Sequence, residues 1–219
     1  MIFAKIDFIN LLPFYIFIKK NIRSSQIKQI INYKKSYPSI INKQFKNRKI
    51  DAAFISSIAS RNCNCLDIGI VAQNEVLSVL ALKGEYEKDF QSESSNALAK
   101  ILNIKGKILI GDKALYHYEN SKSEEFIDLA KVWKEKYNLP FVFARLCVNK
   151  NDKYLKDLTT KFLKTKVKIP QYIIKQYSKK TGVSVKLINR YLAKISYKIS
   201  KKEKHSLKLF LKLTKQQGH

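Results

Sequence analysis

Three apolar stretches of this sequence end in small polar residues of the kind that bind anions. These ends lie at Asn10, at Ser56 and Ser57, and at Gly111 and Asp112. Gly111 allows a tight turn, and Asp112 can cap the helix that follows. In open α/β sheets, ligands bind outside the carboxyl ends of the strands. The pattern predicts a cleft for a small anion, although Gly and Asp also form ordinary strand-to-helix turns.

A fourth group of small polar residues precedes an apolar-periodic segment at 97–102. Ser94, Ser95 and Asn96 are candidate N-caps for a helix there. The free backbone N–H groups of such a helix start could hold a carboxylate. A plain helix cap is the alternative interpretation, and the residues alone leave both open.

The elements that would position these groups alternate between short apolar runs and longer amphipathic segments. Predicted strands cover 2–8, 28–33, 51–55, 67–71, 76–82, the run beginning at 107, and 139–148. Predicted helices cover 11–20, 39–47, 97–102, 124–137, 154–163, 170–179, 184–192 and 202–213. This alternation is typical of an α/β protein, in one lobe or two. With 219 residues and 45% hydrophobic residues, the chain can form one large or two small cores.

The charge of the chain is strongly positive and unevenly distributed. The formal net charge is +26, of which residues 150–219 contribute +17. Such a charge by itself suggests nucleic acid or an anionic membrane surface as a partner. However, 38 of the 43 basic residues are Lys, whereas phosphate and base recognition favours Arg. We therefore expect solvated helix faces rather than a nucleic-acid surface.

The cysteines and histidines do not form a recognisable ligand set. Cys63, Cys65 and Cys147 are an odd number of thiols and lack the spacing of a disulfide framework or a four-ligand zinc site. The three histidines are scattered, and of these only His117 falls near the expected cleft. We expect reduced thiols, no metal site and a cytosolic protein.

Several other classes lack their usual motifs. The sequence contains no GxGxxG, Walker loop, HExxH, G-x-S-x-G or CxxC motif. The apolar N-terminus is interrupted by Lys5, Asp7, Asn10 and Pro13, and no small-residue cleavage site follows it, so we interpret it as a buried strand and helix. No segment approaches the roughly 20 apolar residues that span a bilayer, so no membrane partner is expected.

Four stretches together resemble the chorismate dehydratases of the futalosine route to menaquinone. They are Ile6-Asp-Phe-Ile-Asn-Leu-Leu-Pro13, Ile50-Asp-Ala-Ala-Phe-Ile-Ser-Ser-Ile58, Leu109-Ile-Gly-Asp-Lys-Ala-Leu115, and the run from Ile127-Asp-Leu-Ala-Lys-Val-Trp133 through Leu139-Pro-Phe-Val-Phe-Ala144. Their order and spacing over residues 1–148 make the resemblance specific. It implies a two-lobed, type II periplasmic-binding-protein-like α/β fold with a ligand cleft between the lobes and a helical C-terminal tail. We expect lobe 1 to comprise 1–80, with 165–219 returning to it, and lobe 2 to comprise 81–164.

The resemblance also implies a reaction, the loss of water from chorismate to give 3-[(1-carboxyvinyl)oxy]benzoate without a cofactor. Asn10 would then be catalytic, orienting the enolpyruvyl carboxylate of the substrate as the base. Four serines would hold the substrate carboxylates, namely Ser56, Ser57, Ser94 and Ser95. Gly111 and Asp112 would also bind the substrate. A non-catalytic small-anion-binding protein of the same fold is the alternative, and a Lys-rich nucleic-acid protein is the third.

The sequence also departs from the family pattern at three places. Arg61 lies one position early relative to the family's Arg, and the segment 84–106 is shorter than usual. Ala144-Arg145-Leu146 replaces an Ala-Val-Trp, which changes one wall of the expected cleft.

Overall fold

The computed structural model describes residues 2–21, 32–150 and 153–217, and for 32–35 it describes the backbone alone. Within these residues the chain forms nine strands and nine α-helices. The strands are β1 (Ile2–Lys5), β2 (Asn32–Lys35), β3 (Ala52–Ser56), β4 (Cys65–Ala72), β5 (Val79–Leu82), β6 (Lys107–Ile110), β7 (Phe126–Asp128), β8 (Phe141–Val148) and β9 (Ile195–Lys198). The helices are α1 (Leu12–Asn21), α2 (Pro38–Lys46), α3 (Glu93–Ile101), α4 (Gly111–Asn120), α5 (Leu129–Tyr137), α6 (Lys153–Leu163), α7 (Gln171–Thr181), α8 (Val185–Lys194) and α9 (Lys201–Gln216). Ile9–Leu11 and Ser123–Glu125 form short 3-10 turns.

The larger sheet has six strands in the order β2-β1-β3-β8-β4-β9. β1 pairs in parallel with β2 and β3, whereas β8 is antiparallel to both β3 and β4. All five residues of β3 are buried, as expected for a continuous apolar strand that is covered on both faces. The sheet thus places Ser56, at the carboxyl end of β3, directly opposite Ala144 of β8.

The smaller sheet has three antiparallel strands in the order β6-β5-β7. The chain enters it through Val76 and Leu77, whose backbone N–H groups donate to the Asp128 carboxylate at 2.9 and 2.7 Å. The other Asp128 oxygen accepts from Ala130 and Lys131 at the start of α5. One buried carboxylate therefore both caps a helix and fixes the segment that joins the two sheets.

The expected helix at 124–137 is wrong over its first residues. Phe126, Ile127 and Asp128 pair with β5 as strand β7, and the helix begins only at Leu129. The apolar spacing there matches a helix, but pairing with a neighbouring strand overrides it. β9 was also not predicted, and the expected strand at 28–33 lies outside the described residues except for its last two positions, which belong to β2.

The strands of the larger sheet do not follow one another in the sequence. β8 lies in the middle of the larger sheet, although 81–164 was assigned to the second lobe. It lies there because it supplies hydrogen bonds to both β3 and β4, which do not pair with each other. In the C-terminal segment, β9 pairs with β4 and α9 packs on β8.

The expectation of reduced thiols is wrong for two of the three cysteines. Cys65 and Cys147 face each other across β4 and β8 and form a disulfide, while Cys63 is free. The two residues are 82 positions apart in sequence, so spacing gave no sign that the strands would bring them together.

The described residues include neither a membrane-spanning helix nor a metal-binding cluster. None of the helices found there combines the length and the apolar character that crossing a membrane requires. The same residues include no cluster of three or more His, Cys, Asp or Glu side chains placed to hold a metal ion.

Candidate active site

A small cavity of about 70 Å³, here called the inner cavity, lies between the two sheets. The larger sheet and its connections provide Asn10, Ser56, Phe143 and Ala144 to its wall. The remaining polar wall comes from the smaller sheet and α3, and it comprises Ser78, Ser92, Ser95 and Gly111. Residues from three of the predicted strand ends thus meet at one site.

Asn10 lies in the 3-10 turn between β1 and α1. The Tyr197 hydroxyl donates to its main-chain oxygen at 2.6 Å, which fixes the turn against β9. The side-chain oxygen of Asn10 is buried and has no hydrogen-bond partner among the described residues. Because buried polar atoms are nearly always paired, this oxygen is a position where a bound ligand would supply the missing donor.

Ser56 ends β3 with its hydroxyl held by Asn42 of α2. The Asn42 amide nitrogen donates to Ser56 Oγ at 2.8 Å, and the Ser56 backbone N–H donates to the Asn42 amide oxygen at 3.2 Å. Both side chains are buried. Ser56 lines the inner cavity and Asn42 does not.

Ser78 is a second buried hydroxyl on the cavity wall. Tyr191 of α8, which is 1% exposed, donates its hydroxyl to Ser78 Oγ at 2.9 Å. Burial raises the pKa of Tyr191, and hydrogen bonds with Ser78 and the Asn10 side chain oppose the increase. Tyr191 therefore stays protonated and links two groups of the site, one from each side of the cavity.

Ser92 and Ser95 lie at the amino end of α3. Ser92 is the N-cap, since its hydroxyl oxygen accepts from the Ser95 backbone N–H at 3.2 Å, and it also donates to Ser95 Oγ at 2.8 Å. The prediction that Ser94, Ser95 or Asn96 caps this helix is wrong, because the helix begins at Glu93. Ser95 does line the cavity, at the positive end of the helix dipole.

Ser57 and Ser94, both predicted to bind substrate, do not line the inner cavity. The Ser57 hydroxyl donates to the main-chain oxygen of Val142, and Ser94 Oγ accepts from the backbone N–H of Ile58 at 3.1 Å. Both serines are almost fully buried. Their hydroxyls connect segments of the protein, so the structure does not bring them to the other site residues.

Gly111 begins α4 with φ of 64°, a conformation that favours glycine. A Cβ atom here would lie 2.9 Å from the ring of Phe8, so a larger side chain would strain the backbone and would require the ring to move. Asp112 does not cap α4. Its carboxylate accepts from the Ile9 backbone N–H at 3.3 Å and thereby holds the turn that carries Asn10.

A wider pocket of about 900 Å³, here called the outer pocket, lies on the other side of Phe8. Its charged wall residues are Asp7, Asp112, Lys113 and Lys180. Burial raises the pKa of Asp112 to about 6, although the Ile9 N–H and Lys180 favour its charged form. The pKa of Asp7 is instead held well below its usual range, since hydrogen bonds from Lys180 and Tyr177 outweigh its burial.

The inner cavity differs from the outer pocket in that none of its described wall residues has an ionisable side chain. Its polar groups are the Asn10 amide and the hydroxyls of four serines, with an apolar remainder that includes Phe8, Phe54 and Phe143. Such a site can position a ligand and donate hydrogen bonds to it. A proton acceptor within the cavity would have to come from the ligand itself.

Three residues singled out in the sequence lie away from both pockets. Arg61 donates to Leu211 O and Thr214 Oγ1 and so anchors α9. Arg145 lies on β8 with its Nε atom buried and unpartnered, and burial lowers its pKa. His117 hydrogen-bonds the Ser121 hydroxyl on α4. None of these lines the described walls of the cavity.

Sequence reasoning missed Asn42, Ser78, Ser92 and Tyr191. Ser92 could have been found as the first serine of a helix-start cluster. The other three carry no local signal, since their partners are distant in sequence and meet only in the folded chain.

The sequence is also similar to known proteins. A family model described as menaquinone biosynthesis matches residues 82–216. A curated protein of Campylobacter jejuni subsp. jejuni serotype O:23/36 (strain 81-176), named chorismate dehydratase, is 49% identical over 220 residues, which covers 98% of each chain.

Two solved structures resemble the fold. Protein AF1704 of Archaeoglobus fulgidus gives a TM-score of 0.68 at 12% identity, covering 99% of this chain and 97% of that one. The Candida albicans CA3427 gene product, described as having the generic periplasmic binding protein structural fold, gives 0.51 at 13% identity, covering 96% and 89%. At these identities the likeness shows the fold alone, and it confirms the predicted periplasmic-binding-protein-like architecture.

Proposed function

The chain belongs to the menaquinone biosynthesis family, and we propose that it is a chorismate dehydratase, a hydro-lyase of the futalosine route. The reaction removes water from chorismate and yields 3-[(1-carboxyvinyl)oxy]benzoate. The observation that carries the proposal is the inner cavity, which offers hydroxyls and an amide but no ionisable side chain among its described walls. This suits a ligand that brings its own carboxylates.

The chemistry needs little from the protein beyond geometry. A ring proton and the ring hydroxyl leave together as one molecule of water, and the ring becomes aromatic. The ring proton is vinylogous to the ring carboxylate, so the charge that develops as it leaves is delocalised. We propose that the enolpyruvyl carboxylate of the substrate takes this proton and passes it to the departing hydroxyl, which leaves as water, and that no metal or organic cofactor takes part. Catalysis would then come from orientation and from hydrogen bonds to developing charge.

Each polar group of the cavity then has a role. Ser56, Ser78 and Ser95 would donate hydrogen bonds to substrate carboxylates. Asn10 would orient the enolpyruvyl carboxylate through its amide N–H, while its unpaired amide oxygen would accept from the departing hydroxyl. Gly111 would contribute by leaving space for Phe8, and Asp112 by holding the Asn10 turn through Ile9.

Entry of the substrate requires the inner cavity to open. Its volume of about 70 Å³ is well below the roughly 300–1,000 Å³ typical of ligand pockets. We propose that the two sheets separate to admit the ligand and close around it. Small-angle scattering should show a smaller radius of gyration in a sample saturated with product than in the free protein. An unchanged radius would count against separation of the two sheets.

The test of the function is incubation with chorismate, with the product identified by mass spectrometry and its aromatic absorbance. We expect loss of 18 mass units and release of no pyruvate. Asn62→Ala, at an exposed position, is a matched control that should keep the parent rate. Tight binding of chorismate without turnover would instead support a non-catalytic binding protein of the same fold.

We also propose that the protein acts in the cytoplasm, with chorismate as its partner and without nucleic acid. A cytoplasmic location normally keeps thiols reduced, which makes the Cys65–Cys147 disulfide informative. Free thiols can be alkylated at cell lysis under denaturing conditions and the alkylated cysteines counted by mass spectrometry. This count distinguishes one free thiol from three. Three free thiols would indicate that the pair is reduced in the cell.

A further inference from the structure

We propose that Asn42 is a positioning residue that fixes the Ser56 hydroxyl as a hydrogen-bond donor to the ligand. The inference rests on the proposed function for the identity of the substrate. Asn42 is 6% exposed, lies on α2 and does not line the inner cavity. It would therefore act through Ser56 and not by touching the ligand.

The direction of both hydrogen bonds follows from chemistry alone. The Ser56 backbone N–H can only donate, so the group 3.2 Å away must be the Asn42 amide oxygen. The other end of the amide is then an NH₂ group, which can only donate, and it lies 2.8 Å from Ser56 Oγ. Ser56 Oγ is therefore an acceptor in this contact.

The Ser56 hydroxyl hydrogen is consequently left for another partner. Among the described residues, Ser56 Oγ donates to no protein acceptor, and the residue lines the inner cavity. The neighbouring serines differ. Ser57 donates to Val142 O, and Ser60 donates to Ser57 O at 2.9 Å, so both of their protons are used within the protein. Of these three serines, only Ser56 is held so that its proton points to a ligand acceptor.

The hydrogen bond from Asn42 also uses one of the two lone pairs of Ser56 Oγ, which leaves a single lone pair with which Ser56 could accept from a ligand. A ligand carboxylate oxygen, which accepts the Ser56 proton, is therefore favoured at this position. A ligand hydroxyl that donates to Ser56 is less favoured, because Asn42 already occupies one lone pair of Ser56 Oγ. Asn42 thus contributes to selectivity for an anionic group without placing a charge near it.

The key variant is Asn42→Asp, which keeps the shape of the side chain but replaces its donor by an acceptor. The introduced carboxylate accepts from both the Ser56 N–H and the Ser56 O–H, which turns the hydroxyl away from the ligand. We expect kcat/KM for chorismate to fall about 10-fold or more, as for loss of a hydrogen bond to a charged group. Protonation of the introduced carboxyl restores a donor, so the ratio of variant to parent activity should rise as the pH falls.

A double-mutant cycle separates positioning from a structural role. In a Ser56→Ala background, Asn42→Asp should cause no further loss, because the hydroxyl it misdirects is absent. Additive losses, or an Asn42→Asp protein with parental kinetic constants, would overturn the proposal. Asn42→Ser provides a second variant that breaks both contacts without burying a charge. It should lower kcat/KM several-fold in the parent background and leave it unchanged in the Ser56→Ala background.

Binding of 3-hydroxybenzoate, an unreactive aromatic carboxylate, gives a readout that does not depend on turnover. Its affinity should fall about 10-fold in Asn42→Asp, and not in the Ser56→Ala background. If the parent protein binds this probe but does not dehydrate chorismate, the proposed function fails while the Asn42 proposal is still decided by the probe. A parent protein that binds neither compound would overturn both.

Discussion

The inner cavity is lined by hydroxyls and one amide, whereas the outer pocket beside it carries two carboxylates and two lysines. The two share Ile6, Phe8 and Ile110, so a single layer of apolar side chains separates a neutral compartment from a charged one. Charges in the wide outer pocket act on a ligand through solvent, where they are screened. Uncharged donors in the closed cavity act at short range in a low dielectric. Under the proposed function, the outer pocket would attract the anionic substrate and the inner cavity would carry out the chemistry.

The largest expected effect comes from Asn10→Ala in the inner cavity. Asn10 does not cap α1, because its side-chain oxygen has no partner among the described residues. Its replacement should therefore cost only the hydrogen bond with Tyr191, about 1 kcal/mol of stability. We expect kcat to fall by roughly 10²-fold or more if the amide positions a reacting group. Asn10→Asp should also be poor, since a second carboxylate repels the one it must orient.

Steady-state kinetics on chorismate, with Asn62→Ala as the control, measure the effect of Asn10→Ala. A folded Asn10→Ala protein with the parent kcat would show that the assignment is wrong. If Asp112→Asn abolished turnover while Asn10→Ala did not, the base would lie in the outer pocket. The contrast between a reactive inner cavity and an attracting outer pocket would then be wrong.

The second effect is on stability and concerns Asp112. Its pKa is about 6 in the folded protein and 3.8 in the unfolded chain. The folded state therefore holds a proton more tightly, and its stability decreases as the pH rises from about 4 to about 6 and is constant above that. Asp112→Asn should raise the unfolding free energy on the order of 2 kcal/mol at pH 7.5. At or below pH 4 it should have almost no effect.

Chemical denaturation at several pH values measures this difference. Asp157→Asn, at an exposed position on α6, is the matched control and should leave the unfolding free energy unchanged. A stability difference for Asp112→Asn that does not change with pH would mean that the buried charge is not its cause.

The smallest effect is expected for Lys113→Gln in the outer pocket. If this lysine only attracts the anionic substrate, KM should rise about threefold at low ionic strength and return to the parent value in about 0.5 M salt. The value of kcat should not change. Lys83→Gln, exposed beyond β5, is the control. A salt-independent loss of kcat would place Lys113 in direct contact with the reacting groups.

The sequence was sufficient for the features that depend on local pattern. The apolar run of β3 predicts a strand ending at Ser56, and the helix predicted over 184–192 is present as α8. Its N-cap is Ser184, which accepts from the Leu187 N–H. Gly111 begins a helix after a strand, as its position suggested. These signals need only neighbouring residues and the periodicity of the chain.

The missed features depend on contacts between distant segments. Ser56 and Ser57 are adjacent and chemically identical, yet only Ser56 lines the cavity. The Ser57 hydroxyl donates to Val142 O, whereas Ser56 Oγ accepts from Asn42. Phe126 joins a strand because β5 offers it backbone partners, which no local spacing reveals. The Cys65–Cys147 pair follows from the register of β4 on β8.

The position of β8 has a consequence for the order in which the chain acquires its structure during synthesis. β3 and β4 do not pair with each other, because both pair with β8. β8 is translated after all three strands of the smaller sheet. Until Phe141–Val148 emerges from the ribosome, the carboxyl end of β3 has no partner on that side, and Cys65 has no disulfide partner. Such distant pairings form slowly, since a long loop must close first. The site at Ser56 is therefore completed late, and the nascent chain exposes two apolar strand edges while it waits.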